Sequence, residues 1–204
     1  MNAIGRRGLV GLPLALAGCG LTTRPYLART QWPFDLPEPP PLPPRHGGPV
    51  LLVRDLGAGP GLGQRGLQVI GRDGTLHVSF YQQWAVPPAE GLTAALRRRL
   101  AGSGLFGAVI GPGSVLLPGY VLEGDLDALA ADAAAGAAEA RAGFRFIARR
   151  GGAQRLVFAT AERATAPLPA PPAALTGAAI VAAERAALAR LLDRLTARIA
   201  AALA

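Results

Sequence analysis

Cys19 is the only cysteine among 204 residues. A lone thiol cannot close an internal disulfide, and one cysteine is too few for a zinc cluster. What a single accessible thiol can do is act as a nucleophile toward an acyl-chain donor. The other residues whose types could do chemistry are few. Glu123, Asp125 and Asp127 alternate along one stretch, and a row of carboxylates on one strand face can bind a divalent cation. The same spacing also describes an ordinary solvated strand face, which is the reading preferred here. His46 and His77 stand apart from any serine or aspartate in a nucleophile motif, and Gly-x-Ser-x-Gly is absent. Ser103 lies between Gly102 and Gly104, which is turn chemistry. The glycine-rich segment 57–66 lacks the phosphate-loop pattern, and the chain has no lysine at all. No catalytic residue, cofactor or metal site is therefore expected.

Cys19 has a leader of the right kind in front of it. Arg6 and Arg7 supply a positive start. Gly8 to Ala17 is an apolar run of signal-peptide length, well short of the roughly 20 residues that span a bilayer. Leu16-Ala17-Gly18-Cys19 resembles the bacterial lipobox: leucine, two small residues that enter a tight peptidase site, then the cysteine that takes up diacylglyceryl. The resemblance implies removal of residues 1–18 and a lipidated Cys19 as the new N-terminus. Each buried methylene contributes roughly 0.8 kcal/mol, so several acyl chains on one residue hold durably. Gly20 follows the cysteine where an aspartate would favour the inner membrane, which points to the outer one.

The formal net charge is +8, and two of those charges leave with the leader. The remaining arginines are scattered, with Arg97-Arg98-Arg99 as the one run. No aromatic platform accompanies them, so nucleic acid is not an expected partner.

Residues 19–49 read as a tether. Within it, the run from Pro37 to Pro44 favours polyproline II, a semi-rigid spacer of ~3.1 Å per residue. The folded domain is expected from Val50 to the end, 50–204. Val50–Arg54 reads as a buried strand. Leu67–Ile70 and Thr75–Phe80 flank Asp73-Gly74, a hairpin signal. In the second of these runs Leu76, Val78 and Phe80 make one face apolar. Pro87-Pro88 opens a helix over Ala89–Ala101, with Leu92, Leu96 and Leu100 as its core stripe and Ala95 alongside. Arg97 and Arg98 point away from that stripe, and Arg99 lies at its edge. Leu105–Ile110 and Tyr120–Leu129 are strands, the latter followed by a loop or fraying end over 130–140. Phe144–Ala148 and Leu156–Thr160 form a hairpin around Gly151-Gly152. After a break at Pro167–Pro172, Thr176 caps a helix striped by Ile180, Leu188, Leu191, Leu195, Ile199 and Leu203. Strands and helices do not alternate regularly. The fold class is α+β, a mostly antiparallel sheet with two amphipathic helices on one face.

In this order the pattern resembles the ABC-type transport auxiliary lipoproteins, partners of MCE-type lipid transport systems. Gln83-Trp84-Ala85-Val86-Pro87-Pro88 is similar to the family's Arg-Trp-Ala-x-Pro-Leu entry into its first helix. Gly119-Tyr120-Val121-Leu122 is similar to its Asp-Tyr-x-Leu strand. Gln83 and Gly119 replace the family's usual Arg and Asp. The resemblance implies a non-catalytic lipoprotein held on the periplasmic face of the outer membrane. Its implied partners are an MCE-domain protein, an ABC ATPase and permease, and further copies of itself. A competing reading is an assembly lipoprotein for a lipopolysaccharide-export or secretion complex. Trp84 has two readings: an aromatic lid packing the helix start onto the sheet, or an exposed partner contact.

Overall fold

The computed structural model describes residues 28–169 and 175–204. Its frame is a pair of long hairpins. β7 (Tyr120–Asp132), β8 (Ala137–Arg150) and β9 (Ala153–Pro167) pair antiparallel along nearly their full lengths. The β8–β9 turn is Gly151-Gly152, with φ of 52° and 85°. Both values lie where side chains are disfavoured, and this two-residue turn matches the twist of the strands it joins.

The other edge of β7 is covered in segments. β2 (Val50–Val53), β3 (Gly57–Ala58) and β4 (Gly66–Ile70) lie parallel to it at Tyr120–Leu122, Asp125–Leu126 and Ala131–Asp132 respectively. β5 (Leu76–Trp84) pairs antiparallel with β4, β1 (Thr30–Trp32) pairs with β5, and β6 (Ala108–Ile110) pairs with β2. The result is a nine-stranded mixed sheet in which the long antiparallel hairpins hold most of the paired residues.

α1 (Pro88–Ala101) begins with proline at its first position, has Glu90 in its first turn, and has Arg98 and Arg99 in its last. All three features suit the orphan amides and the dipole of a helix. α2 (Gly177–Leu203) starts where the Thr176 hydroxyl accepts the Ala179 amide at 3.2 Å. The stripes of both helices are buried in one core with Leu122, Leu126, Leu129, Phe144 and Phe146. The α+β architecture expected from the sequence is thus the one observed.

Three local expectations differ from the structure, and one apolar face, on β5, lies outside the core. Residues 130–132 continue β7 and 137–140 begin β8, because Asp132 closes a turn by accepting the Ala134 and Ala135 amides. The alternation along β7 is broken at Asp127, the extra residue of a bulge between Leu126 and Ala128. The bulge turns Leu129 and Ala131 inward. The glycine-rich loop contains β3 and buries Leu62 at 2% exposure. The alternate apolar residues of β5 do not face the core: Leu76, Val78 and Phe80 are exposed.

The region preceding Val50 also differs from a free spacer. Thr30–Trp32 is a strand, Leu36 is 4% exposed, and the proline run lies along the helices. Local sequence sets the extended form of such a run, but apolar residues at its start give the domain something to bury.

Candidate functional site

The strap formed by residues 33–45 is clasped from one end of the molecule to the other. Phe34 packs against Trp84, with ring centroids 4.8 Å apart, and lies on α1 at Gly91, where a methyl group would collide with the ring. The Pro33 carbonyl accepts from Arg185 and the Pro37 carbonyl from Arg99. Arg98 meets Glu38 at 2.8 Å. The Leu42 amide donates to the Gly102 carbonyl at 2.8 Å, and the Arg45 amide to Phe106 at 3.0 Å.

Two arginines of the triplet therefore clasp the strap, and the third holds the chain at the end of β2. Arg97 reaches the Val53 carbonyl at 2.9 Å and Asp55 at 2.7 Å. Arg98 holds the strap. Arg99 is 7% exposed and joins the strap to Asp193 of α2. Arg97 and Arg98 do point away from the core stripe, as expected, yet they are not free: carboxylates and carbonyls of the strap and of the segment at β2 supply partners that a helical wheel cannot show. The signal present in the sequence was Glu38, a lone acid inside a proline run. Beside the clasp, Pro39, Pro40, Leu42, Leu105, Ala197 and Ala200 line an open cleft of about 360 Å³.

Trp84 is 1% exposed and sits between Phe34 and α2. This is the lid arrangement. An indole enclosed to this degree offers no surface to a partner, so the partner-contact reading of Trp84 does not fit the structure. Below it lies a residue the sequence reading did not single out. Glu184 is fully buried on α2, and neither carboxylate oxygen has a hydrogen-bond partner. Burial pushes its carboxyl up to about 8, with the nearby indole pulling weakly the other way. A sequence signal did exist: Glu184 is one turn after the stripe residue Ile180 and one turn before Leu188.

The outward face of β7–β9 is matched charge by charge. Glu123 meets Arg145 at 3.1 Å and Arg54 at 3.4 Å, while Asp125 lies 3.7 Å from Arg145. Glu139 accepts from Arg141 and Arg163; burial raises its carboxyl, but the two guanidinium groups outweigh that and hold it below its ordinary value. Asp127, the extra residue of the bulge, stays on this exposed face with its carboxylate beside Gly143, the register partner of Asp125. Arginine thus occupies the places a cation would need. Among the described residues, no three histidine, cysteine or acidic groups converge at metal-binding spacing.

Ser103 Oγ donates to the Leu100 carbonyl at 2.6 Å and accepts from the Leu105 amide, closing the end of α1. His77 lies 2.9 Å from the Thr75 hydroxyl on an exposed hairpin. Cys19, with Leu16, Ala17 and Gly18, lies outside the described residues.

Residues 34–200 match the family described as the ABC-type transport auxiliary lipoprotein component. The chain belongs to this family. Among solved structures, this auxiliary lipoprotein is similar to a Xanthomonas campestris protein, with a TM-score of 0.69 and 22% identity over 82% of this chain and 92% of the other. It is also similar to a Chlamydia trachomatis protein, with a TM-score of 0.52 and 10% identity over 76% and 98% of the two chains. At such identities the likeness concerns the fold alone. No curated protein matches the chain. Family membership makes the protein an auxiliary lipoprotein component of ABC-type transport, a role that implies no catalysis.

Proposed function

We propose that this lipoprotein is anchored through Cys19 to the periplasmic face of the outer membrane. There it serves as the non-catalytic auxiliary of an MCE-type lipid transport system, working with an MCE-domain protein and an ABC ATPase and permease. The observation that carries the reading is the family match over residues 34–200, downstream of the lipobox at Leu16–Cys19. Residues 1–18 act as the leader in this scheme. The domain beyond it would include the strap as well as residues 50–204.

The test is capture of membrane complexes through a C-terminal tag on the acylated protein. Recovery of an MCE-domain protein with its ATPase is the expected result. Recovery of a lipopolysaccharide-export barrel or a secretin in its place would overturn the proposal. A Cys19→Ser variant should lose palmitate labelling and leave the membrane fraction.

A further inference from the structure

Two apolar segments of the described chain face solvent, at opposite ends of the sheet. One is the β5 face, where Leu76, Val78 and Phe80 are 54%, 43% and 57% exposed. The other is the loop carrying Val115, Leu116 and Leu117, between β6 and β7. Contiguous exposed apolar residues mark interaction surfaces. On β5 the edge is also open. β1 covers it only at Gln82–Trp84, and among the described residues no strand lies on that side of Leu76–Tyr81.

Where the chain enters the domain distinguishes the two. The Arg29 guanidinium lies over the Phe80 ring, 3.9 Å from its centroid. From Cys19 to Arg29, a chain extending at most ~3.3–3.6 Å per residue reaches no farther than about 35 Å. A lipid on Cys19 thus keeps the bilayer surface within that radius of Arg29, whose side chain reaches Phe80. The Val115–Leu117 loop is reached only by a chain near full stretch, whereas Phe80 lies beside Arg29 itself. β4 and β5 sit at the Asp132 end of β7, whereas the loop joins β7 at Tyr120. Arg29 is level with Leu129 by these registers, so at roughly 3.3 Å per residue along the strand and about 4.8 Å per strand across the sheet Tyr120 lies about 33 Å away before the loop itself projects.

We propose that Leu76, Val78 and Phe80 rest on the lipid surface to which Cys19 is joined, with Tyr81 and Arg29 at headgroup level. This rests on the lipidation of Cys19 proposed above. The chemistry fits an anionic interface: three apolar side chains enter the acyl boundary, and an amphipathic ring and a guanidinium remain among phosphates. Arg72 at the hairpin tip offsets Asp73, so Arg29 leaves the face positive. The Val115–Leu117 end is then turned away from the membrane.

The test joins the chain from residue 19 onward, through its single thiol, to a maleimide lipid in phosphatidylethanolamine–phosphatidylglycerol vesicles. Attachment is then chemical and does not depend on whether the cell acylates Cys19. Phe80→Trp, Leu76→Trp and Leu117→Trp variants are compared with the parent chain in bilayers containing brominated phosphatidylcholine. Several-fold stronger quenching of the added emission at positions 80 and 76 than at 117 is expected. Equal quenching, stronger quenching at 117, or none at 80 and 76 would overturn the assignment. In the last case, a sedimentation mass above that of one chain would give the face to a second copy. Palmitate labelling of the Cys19→Ser variant in cells separately decides the lipidation reading.

Discussion

Arg99 and Glu184 are both charged residue types taken out of water in the same core, and the fold treats them in opposite ways. Arg99 is 7% exposed, with Asp193 on one side and the Pro37 carbonyl on the other. Its partners arrive from α2 and from the strap, so the guanidinium is buried with its hydrogen bonds made. Glu184 has no such partner, and it holds its proton up to about pH 8. A guanidinium cannot shed its charge and must be supplied with acceptors. A carboxyl can become neutral, and does so here because burial outweighs the pull of the one indole beside it. The clasp around Arg99 therefore fixes three elements at once, whereas the Glu184 site ties local stability to pH.

The largest effect expected on this contrast comes from opening the Glu184 side. Trp84→Ala removes the lid over the carboxyl and leaves a cavity under Phe34; a loss of about 3–5 kcal/mol in chemical denaturation is expected. An unchanged midpoint would mean the lid carries no packing energy. Next is the pH profile. Between the ordinary value of 4.5 and about 8, the folded chain keeps a proton that the unfolded chain has released. Stability should therefore fall as pH rises through this window, by about 1.4 kcal/mol per unit, and level off above it. Glu184→Gln should flatten that slope. Urea midpoints from pH 5 to 9 measure it, and a variant with the parent's slope would place the titration elsewhere.

On the Arg99 side, Asp193→Ala strands a buried guanidinium that retains only the strap carbonyl. A loss of about 1–3 kcal/mol is expected, with little dependence on pH above 5. Faster amide exchange at Leu42 and Arg45 should accompany it as the strap loosens. The smallest effect is at the rim. Glu38→Ala breaks a pair that is open to solvent on both sides and should cost less than about 1 kcal/mol. A larger loss would show that the strap is held from its edge and not by Arg99.

Much of the frame was legible. Leu92, Leu96 and Leu100, and the stripe from Ile180 to Leu203, mark helices because residues four apart share a face, whatever else the chain does. Thr176 caps as its type requires, and Gly151-Gly152 turns where only glycine adopts both conformations freely. The alternation Leu76, Val78, Phe80 announced a strand with an apolar side. It could not say that this side would remain outside, because alternation encodes a face and not what covers it. Trp84 was visible as a residue of consequence, while its enclosure depended on Phe34, fifty residues earlier in the chain. Glu184 was written into the α2 stripe, but its lack of partners is a fact about every neighbouring element.

The sequence by itself determined the helices, the turns and the strand propensities, since each depends on residues within a few positions of one another. Only the tertiary structure decided the bulge at Asp127, the docking of a proline run as a strap, the service of Arg98 and Arg99 as its clasp, and which apolar face is left exposed among the described residues. Those outcomes depend on which distant groups arrive to fill space and satisfy hydrogen bonds, and no local pattern carries that information.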